Sequence, residues 1–226
     1  MASHRTREIA QALAGACVIA GALVTPFRRD ARLRWGLEPA AAARPLPGDA
    51  LIPAPSWSWT HGIRVGAPAA EVWPWVAQIG ADRAGFYSYS GLENMVGCGV
   101  RNADRVHPEW QERAGTSLVL HPKGPPLPIV EERPGSHMVA FGAPDEEARA
   151  AGRAWTAASW LLMVEPLGAG RCTVISRFRS AHSDDRRTRL AFGPALLEPI
   201  GFAMDRRMLI GIRARAQAAG GAAVAA

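Results

Sequence analysis

Between residues 57 and 65 the chain alternates: Trp59, His61, Ile63 and Val65 fall on one parity, Ser58, Thr60, Gly62 and Arg64 on the other. A period of two predicts a half-buried strand. Pro68 then stands at a first helical position, and Val72, Val76 and Ile79 recur at helical spacing up to Gly80. These signals predict a helix that Pro74 bends. A second, shorter helix is expected at Gly91–Gly97, followed by a turn-rich stretch to Gly115. Segments of strand length come next, at Thr116–His121, Leu127–Arg133, His137–Gly142, Arg153–Glu165 and Arg171–Ala181, separated by Pro- and Gly-rich turns and one acidic tip. Their spacing reads as a meander of antiparallel hairpins. From Pro199 an amphipathic helix carries Ile200, Met204, Met208 and Ile212 as an apolar stripe, with Arg206, Arg207, Arg213 and Arg215 mostly away from it. The order of strand, two helices, meander and long helix predicts an α+β fold. A curved antiparallel sheet would wrap the last helix and leave room for a cavity.

The ends follow other rules. Ile9–Val24 is apolar except for Gln11, with Arg5 and Arg7 before it and Arg28, Arg29, Arg32 and Arg34 after it. As a helix it would be roughly 24–28 Å long, marginal against a hydrocarbon core of about 30 Å. The reading adopted is an uncleaved membrane anchor within residues 1–30, against a signal peptide or a soluble Ala-rich helix. The excess of arginine after the run places the domain on the cytoplasmic side; soluble cytoplasmic or exported forms are the alternatives. Residues 31–56 hold five prolines and read as an arm with a short helix at 39–43. The compact domain is expected over 57–217, and 218–226 has nothing to bury and should fray.

The balance of 26 Lys+Arg against 20 Asp+Glu gives +6. Lys123 is the only lysine, and arginine is abundant together with Ala, Gly and Pro, so the charge is a weak pointer to an acidic partner. Arg177/Arg179, Arg186/Arg187/Arg189 and the arginines of the last helix lack interleaved aromatic residues and read as solvated faces, not as a nucleic-acid surface. Cys17, Cys98 and Cys172 show neither metal-ligand nor disulfide spacing and read as small buried hydrophobes. No metal, cofactor or nucleotide cradle is expected, and no G-x-S-x-G elbow is present. Eight tryptophans against two tyrosines call for a thick core or a pocket to line.

The stretch HGIRVGAPAAEVWPWVAQIGADRAGFYSYSGLENMVGCGVRNADRVHPEWQ, with EPIGFAMDRRMLIGIRARA near the end, resembles the START-like SRPBCC superfamily of helix-grip fold. It is most similar to the polyketide cyclase/dehydrase-like subgroup. The pieces LRWG and ARPLPGD extend the similarity to roughly residues 33–217. The resemblance implies a hydrophobic cavity between sheet and last helix. It implies no single reaction.

The densest polar group is Tyr87, Tyr89, Glu93, Asn94, Asn102, Asp104 and Arg105. It could orient the polar end of an apolar ligand, or let Glu93 or Asp104 move protons if burial raised its pKa. The bland reading is a loop locked by capping and ion pairs. His107 reads as a loop histidine and His61 as a core or cavity-lining one. Trp155 and Trp160 point to opposite faces of their strand, and parity leaves the inner one open. Val174 and Phe178 are expected inside. The ligand-contacting set is therefore Tyr87, Tyr89, Glu93, Asn94, Asn102, Trp160, Phe178, Met204 and Met208. The leading reading is a binding protein for a small hydrophobic molecule such as a lipid or polyketide-like compound. The alternatives are a metal-free cyclase/dehydrase-type enzyme and a ligand-free interaction module.

Overall fold

A computed structural model describes residues 2–113, 115–168 and 170–224. Its helices are α1 (Ala2–Val24), α2 (Arg29–Leu33), α3 (Pro39–Ala43), α4 (Ala69–Ala77), α5 (Ser90–Met95), α6 (Glu146–Ala150), α7 (Arg186–Phe192) and α8 (Pro194–Val224). Its strands are β1 (Trp57–Val65), β2 (Ser117–Leu118), β3 (Leu127–Arg133), β4 (His137–Gly142), β5 (Thr156–Gly168) and β6 (Arg171–His182). They form one antiparallel sheet in the order β1-β6-β5-β4-β3-β2. The four hairpin-linked strands β3–β6 keep chain order, and β1 closes onto β6.

Register sets the two faces. Trp59 lies opposite Phe178, His61 opposite Ser176 and Ile63 opposite Val174, so the expected inner parity of β1 and β6 meets on the concave side. Across β5, Trp160 pairs with Phe178 and Leu162 with Ser176, which makes Trp160 the inward tryptophan. Trp155 precedes the strand and lies beneath the Arg149 guanidinium. Against the concave face pack α4 and α8, whose Val72, Val76, Met208, Leu209 and Ile212 complete the main core.

The convex face is covered by the Pro-rich arm. Leu37 and Leu46 pack on Val139, Leu161 and Ile175. Arg177, expected on a solvated face, is buried there. It donates to Thr60 Oγ1 (2.9 Å) and to the carbonyls of Ala42 (2.6 Å) and Arg44 (2.9 Å), and pairs with Asp49 (2.5 Å). Arg179 joins it on Asp49 (3.2 Å) and on the Ile52 carbonyl (2.9 Å). Two arginines of β6 thus staple residues 42–52 onto the sheet.

Several boundaries differ from expectation for local reasons. The strand expected at Thr116–His121 shrinks to two residues, since Pro122, Pro125 and Pro126 offer no N–H with which to continue a ladder. Helix α8 starts at Pro194, leaving Pro199 inside it. Its end runs past 218; Ala216 is buried and Gly220 lies beside Glu71 of α4. Residues 225 and 226 lie outside the described residues.

Helix α1 packs on α5 and α8. The approach is close: a Cβ at Gly15 would sit 2.6 Å from Leu92 Cδ1. Among the described residues no single helix is long and apolar enough to cross a membrane; Glu8–Val24 and Pro26–Leu33 pass that test only as a pair bent by 96°.

Candidate functional site

A cavity of about 470 Å³ lies between the concave face and α8. Its floor is Trp59, Trp160 and Phe178, one from each of β1, β5 and β6. Its roof is Ile200, Gly201, Met204, Asp205 and Met208, one face of α8 by their spacing. Glycine at 201 lets the Trp59 indole lie against the helix, for a Cβ there would come within 2.5 Å of the ring's Cζ3. One side is closed by Phe86, Leu92, Cys98 and Leu120, with Ile19 of α1 reaching in. Met95 and Val96 also line the space yet are 78% and 69% exposed, which marks the mouth.

Three polar side chains interrupt these apolar walls: Ser88, Glu93 and Asp205. Ser88 Oγ donates to the Met204 carbonyl (3.0 Å), tying its segment to α8. Asp205 is the acceptor at the centre of a buried network. Trp160 Nε1 donates to Ser176 Oγ (2.9 Å), Ser176 Oγ donates to Asp205 Oδ1 (2.6 Å), and His61 Nδ1 lies 2.6 Å from Asp205 Oδ2. A carboxylate oxygen accepts, so His61 Nδ1 is the nitrogen that donates to Asp205. His61 Nε2 has no partner among the described residues. The imidazole is fully buried, stacked on Trp59 at 5.4 Å and flanked edge-on by Trp35 and Phe202.

Glu93 sits on α5 with its carboxyl turned to the cavity, and Oε2 has no partner among the described residues. Burial without a compensating donor pushes its pKa up to about 7, so near neutral pH it exchanges a proton readily. The Cys98 thiol beside it is also held above its ordinary value, by burial first and by the Glu93 charge second. Glu93 and Asp205 therefore bring two carboxyl groups of different character to one apolar space: one lone and easily protonated, the other fixed by donors.

Of the residues singled out from sequence, Glu93, Trp160, Phe178, Met204 and Met208 line the cavity; Tyr87, Tyr89, Asn94 and Asn102 do not. Tyr87 is buried at a left-handed φ of 56°, its hydroxyl accepting from Gln78 Nε2 (2.7 Å) and its N–H donating to Asn102 Oδ1 (2.6 Å). Burial drives the Tyr87 pKa far above the usual phenol value. Asn94 clamps both backbone groups of Val100, at 3.1 and 2.6 Å. Tyr89 lies under Gly15 of α1 with the Arg207 guanidinium over its ring. Asn94 and Asn102 thus satisfy the backbone of a long loop, while Tyr87 and Tyr89 pack beside it. Asp104 is on the surface, and His107 is held outside the cavity by Glu109 and a stack on Trp110. Sequence reasoning missed Asp205, Ser176, Ser88 and Trp59. The parity that put Val174 and Phe178 inside also puts Ser176 there, and Asp205 is the lone acid beside the Met204/Met208 stripe.

No family model matches the chain, and neither does any curated protein. Among solved structures, the chain is similar to the Zhui aromatase/cyclase from Streptomyces sp. R1128, at 13% identity and a TM-score of 0.34 over 71% of this chain and 93% of that one. It is also similar to the di-domain aromatase/cyclase BexL of the BE-7585A biosynthetic pathway, at 14% identity and a TM-score of 0.30 over 71% of this chain. That match spans 46% of the di-domain protein's length. Norcoclaurine synthase from Thalictrum flavum aligns at 13% identity and a TM-score of 0.28, over 68% of this chain and 91% of that one. Such distant likenesses lend nothing to the reading of the cavity, which rests on the chain's own residues. Strand order, antiparallel register and the long helix held against the concave face make this a helix-grip fold, as the resemblance to the START-like SRPBCC superfamily implies.

Proposed function

We propose that the chain binds a small, largely apolar molecule, a lipid or polyketide-like compound, between the sheet and α8. The observation that carries this is the cavity itself: about 470 Å³ of space walled by aromatic and aliphatic side chains, with three polar groups placed in it. Such proportions suit a ligand held by burial and oriented by one polar end. Covering about 300 Å² of apolar ligand surface supplies roughly 7 kcal/mol before association costs, the larger part of the gross binding energy for such a ligand. Neutral Glu93 can donate to that polar end, and ionised Asp205 can accept from it. Native mass spectrometry of protein from its own host tests the reading by looking for a co-purified apolar compound. Absence of any bound species, with no change in tryptophan fluorescence across fatty acids, sterols and polyketides, overturns it.

A second reading, metal-free acid–base catalysis of the cyclase/dehydrase type, draws on the paired carboxyl groups. Glu93 would give or take a proton at a ligand carbonyl or hydroxyl, while Asp205, backed by His61 and Ser176, would hold the group opposite. Turnover of an enolisable polyketide mimic that falls in Glu93→Gln, with ligand affinity retained, separates catalysis from carriage. An unfilled interior counts against a ligand-free interaction module.

A further inference from the structure

Helix α1 is apolar on two faces, and only one of them is covered by the domain. Gly15 and Ala22 are buried, and Ile19 reaches the cavity. On the other side Ile9, Leu13, Ala16, Ala20, Leu23 and Val24 are exposed, and Phe27 continues the stripe just past the helix end. At about 100° per residue these positions share one arc of the helix. Leu13 is 63% exposed, Val24 75% and Phe27 80%, and no charged residue occurs between Ile9 and Phe27. An uncharged stripe of this length left in water calls for a cover.

Three further observations say what the cover is. The helix lies along α5 and α8 and the chain turns by 96° after it, a geometry that suits a helix lying in an interface and not one crossing it. The apolar rim of the mouth, Met95 and Val96, lies at the end of α5, the helix on which α1 rests, and Ile19 of α1 lines the same cavity, so α1 borders the space that the mouth opens into. Residues 28–34 bring four arginines against the single Asp30 to the end of the stripe, with Arg28 exposed and Arg29 held by Glu198 at 2.7 Å. An apolar face ending in a basic cluster is complementary to anionic headgroups above acyl chains.

We propose that α1 docks in the plane of an anionic lipid surface and holds the mouth of the cavity against it, so that the apolar ligand passes between membrane and cavity without crossing water. This rests on the ligand-binding reading and narrows the ligand class to membrane-dwelling amphiphiles.

The test uses the full-length protein, vesicles of phosphatidylcholine alone or with one-quarter phosphatidylglycerol, and 11-(dansylamino)undecanoic acid as cavity probe. Wild type is expected to float with the anionic vesicles, less with the neutral ones. Leu13→Gln/Leu23→Gln, which alters the outer stripe alone, is expected to lose partitioning by about tenfold or more. It should bind the probe in solution as wild type does. Transfer of the probe from anionic vesicles to wild type should accelerate with vesicle concentration, the mark of a collisional route, and the double variant should lose that dependence. Equal flotation of both proteins, or none by either, overturns the docking. So does a wild-type dimer in light scattering that the double variant converts to monomer, because a second copy then covers the stripe. If flotation persists but the probe does not bind in solution, the ligand-binding reading and the exchange fail while the docking stands, so the two failures are told apart.

Discussion

Glu93→Gln should change how stability depends on pH more than it changes stability itself. Glu93 is 6% exposed, its carboxyl has an oxygen without a partner among the described residues, and burial pushes its pKa up to about 7 in the folded chain against 4.5 for the free group. The folded state therefore holds this proton more tightly than the unfolded chain does. Below pH 4.5 both states are protonated and burial costs no charge; as pH rises from there toward 7, folding has to take up a proton and stability falls. Above about 7 the loss is complete. At about 1.36 kcal/mol per pKa unit, the interval from 4.5 to 7 corresponds to ~3 kcal/mol, an order-of-magnitude figure. Glutamine keeps the size and leaves a buried amide, at a cost of about 1–3 kcal/mol that does not vary with pH. The difference between variant and wild type should therefore shift in the variant's favour by ~3 kcal/mol between pH 4 and pH 9. Urea unfolding of both proteins at a series of pH values measures it. A difference that stays flat from pH 4 to 9 would falsify the placement of Glu93 as a lone buried acid.

Asp205→Ala should destabilise the fold by about 3–5 kcal/mol, since it strands Ser176 and His61 in a dry interior, while Asp205→Asn retains an acceptor for Ser176 and costs less; thermal unfolding distinguishes them. Arg177→Met should cost about 3 kcal/mol and expose residues 42–52 to limited proteolysis ahead of global unfolding, because it removes three bonds that hold the arm to the sheet. Gly201→Ala should lower the affinity for 11-(dansylamino)undecanoic acid several-fold and cost about 1–3 kcal/mol, because the added Cβ drives the Trp59 ring into the cavity. A Gly201→Ala protein with unchanged probe affinity would place the ligand elsewhere.

What could be read from the sequence divides along the range of the interaction. The period of two in β1 and the Pro-opened α4 are decided by neighbours within a few residues, so pattern alone placed them. Pattern also put Val174 and Phe178 inside and left Trp160 undecided, because both parities of β5 are apolar: Trp160 and Leu162 face the main core while Leu161 faces the arm. An arm that buries the outer face of a sheet removes the alternation on which a parity argument depends. Its prolines suggested a spacer, yet Asp49 and two of its carbonyls are what a buried Arg177 requires. The polar cluster at 87–105 misled for a related reason. Its density of Tyr, Asn and Asp reflects a long loop whose backbone groups need partners near in sequence, and Asn94 and Asn102 supply them.

The chemistry of the cavity is dispersed instead. His61, Ser176 and Asp205 come from β1, β6 and α8, and Asp205 is 144 residues from His61 and 29 from Ser176. No local spacing encodes that meeting. It depends on β1 pairing with β6 in a register that sets His61 opposite Ser176, and on α8 presenting Asp205 to both. A shift of β1 by one residue would bring Thr60 or Gly62 to that place and turn His61 to the arm side. The inner-face anchors Trp59 and Ile63 oppose such a shift, so the aromatic stack of Trp59 on Phe178, at 4.8 Å, does more than floor the pocket. By holding the register it keeps His61 beneath Asp205, and the polar end of the site depends on packing made by its apolar wall.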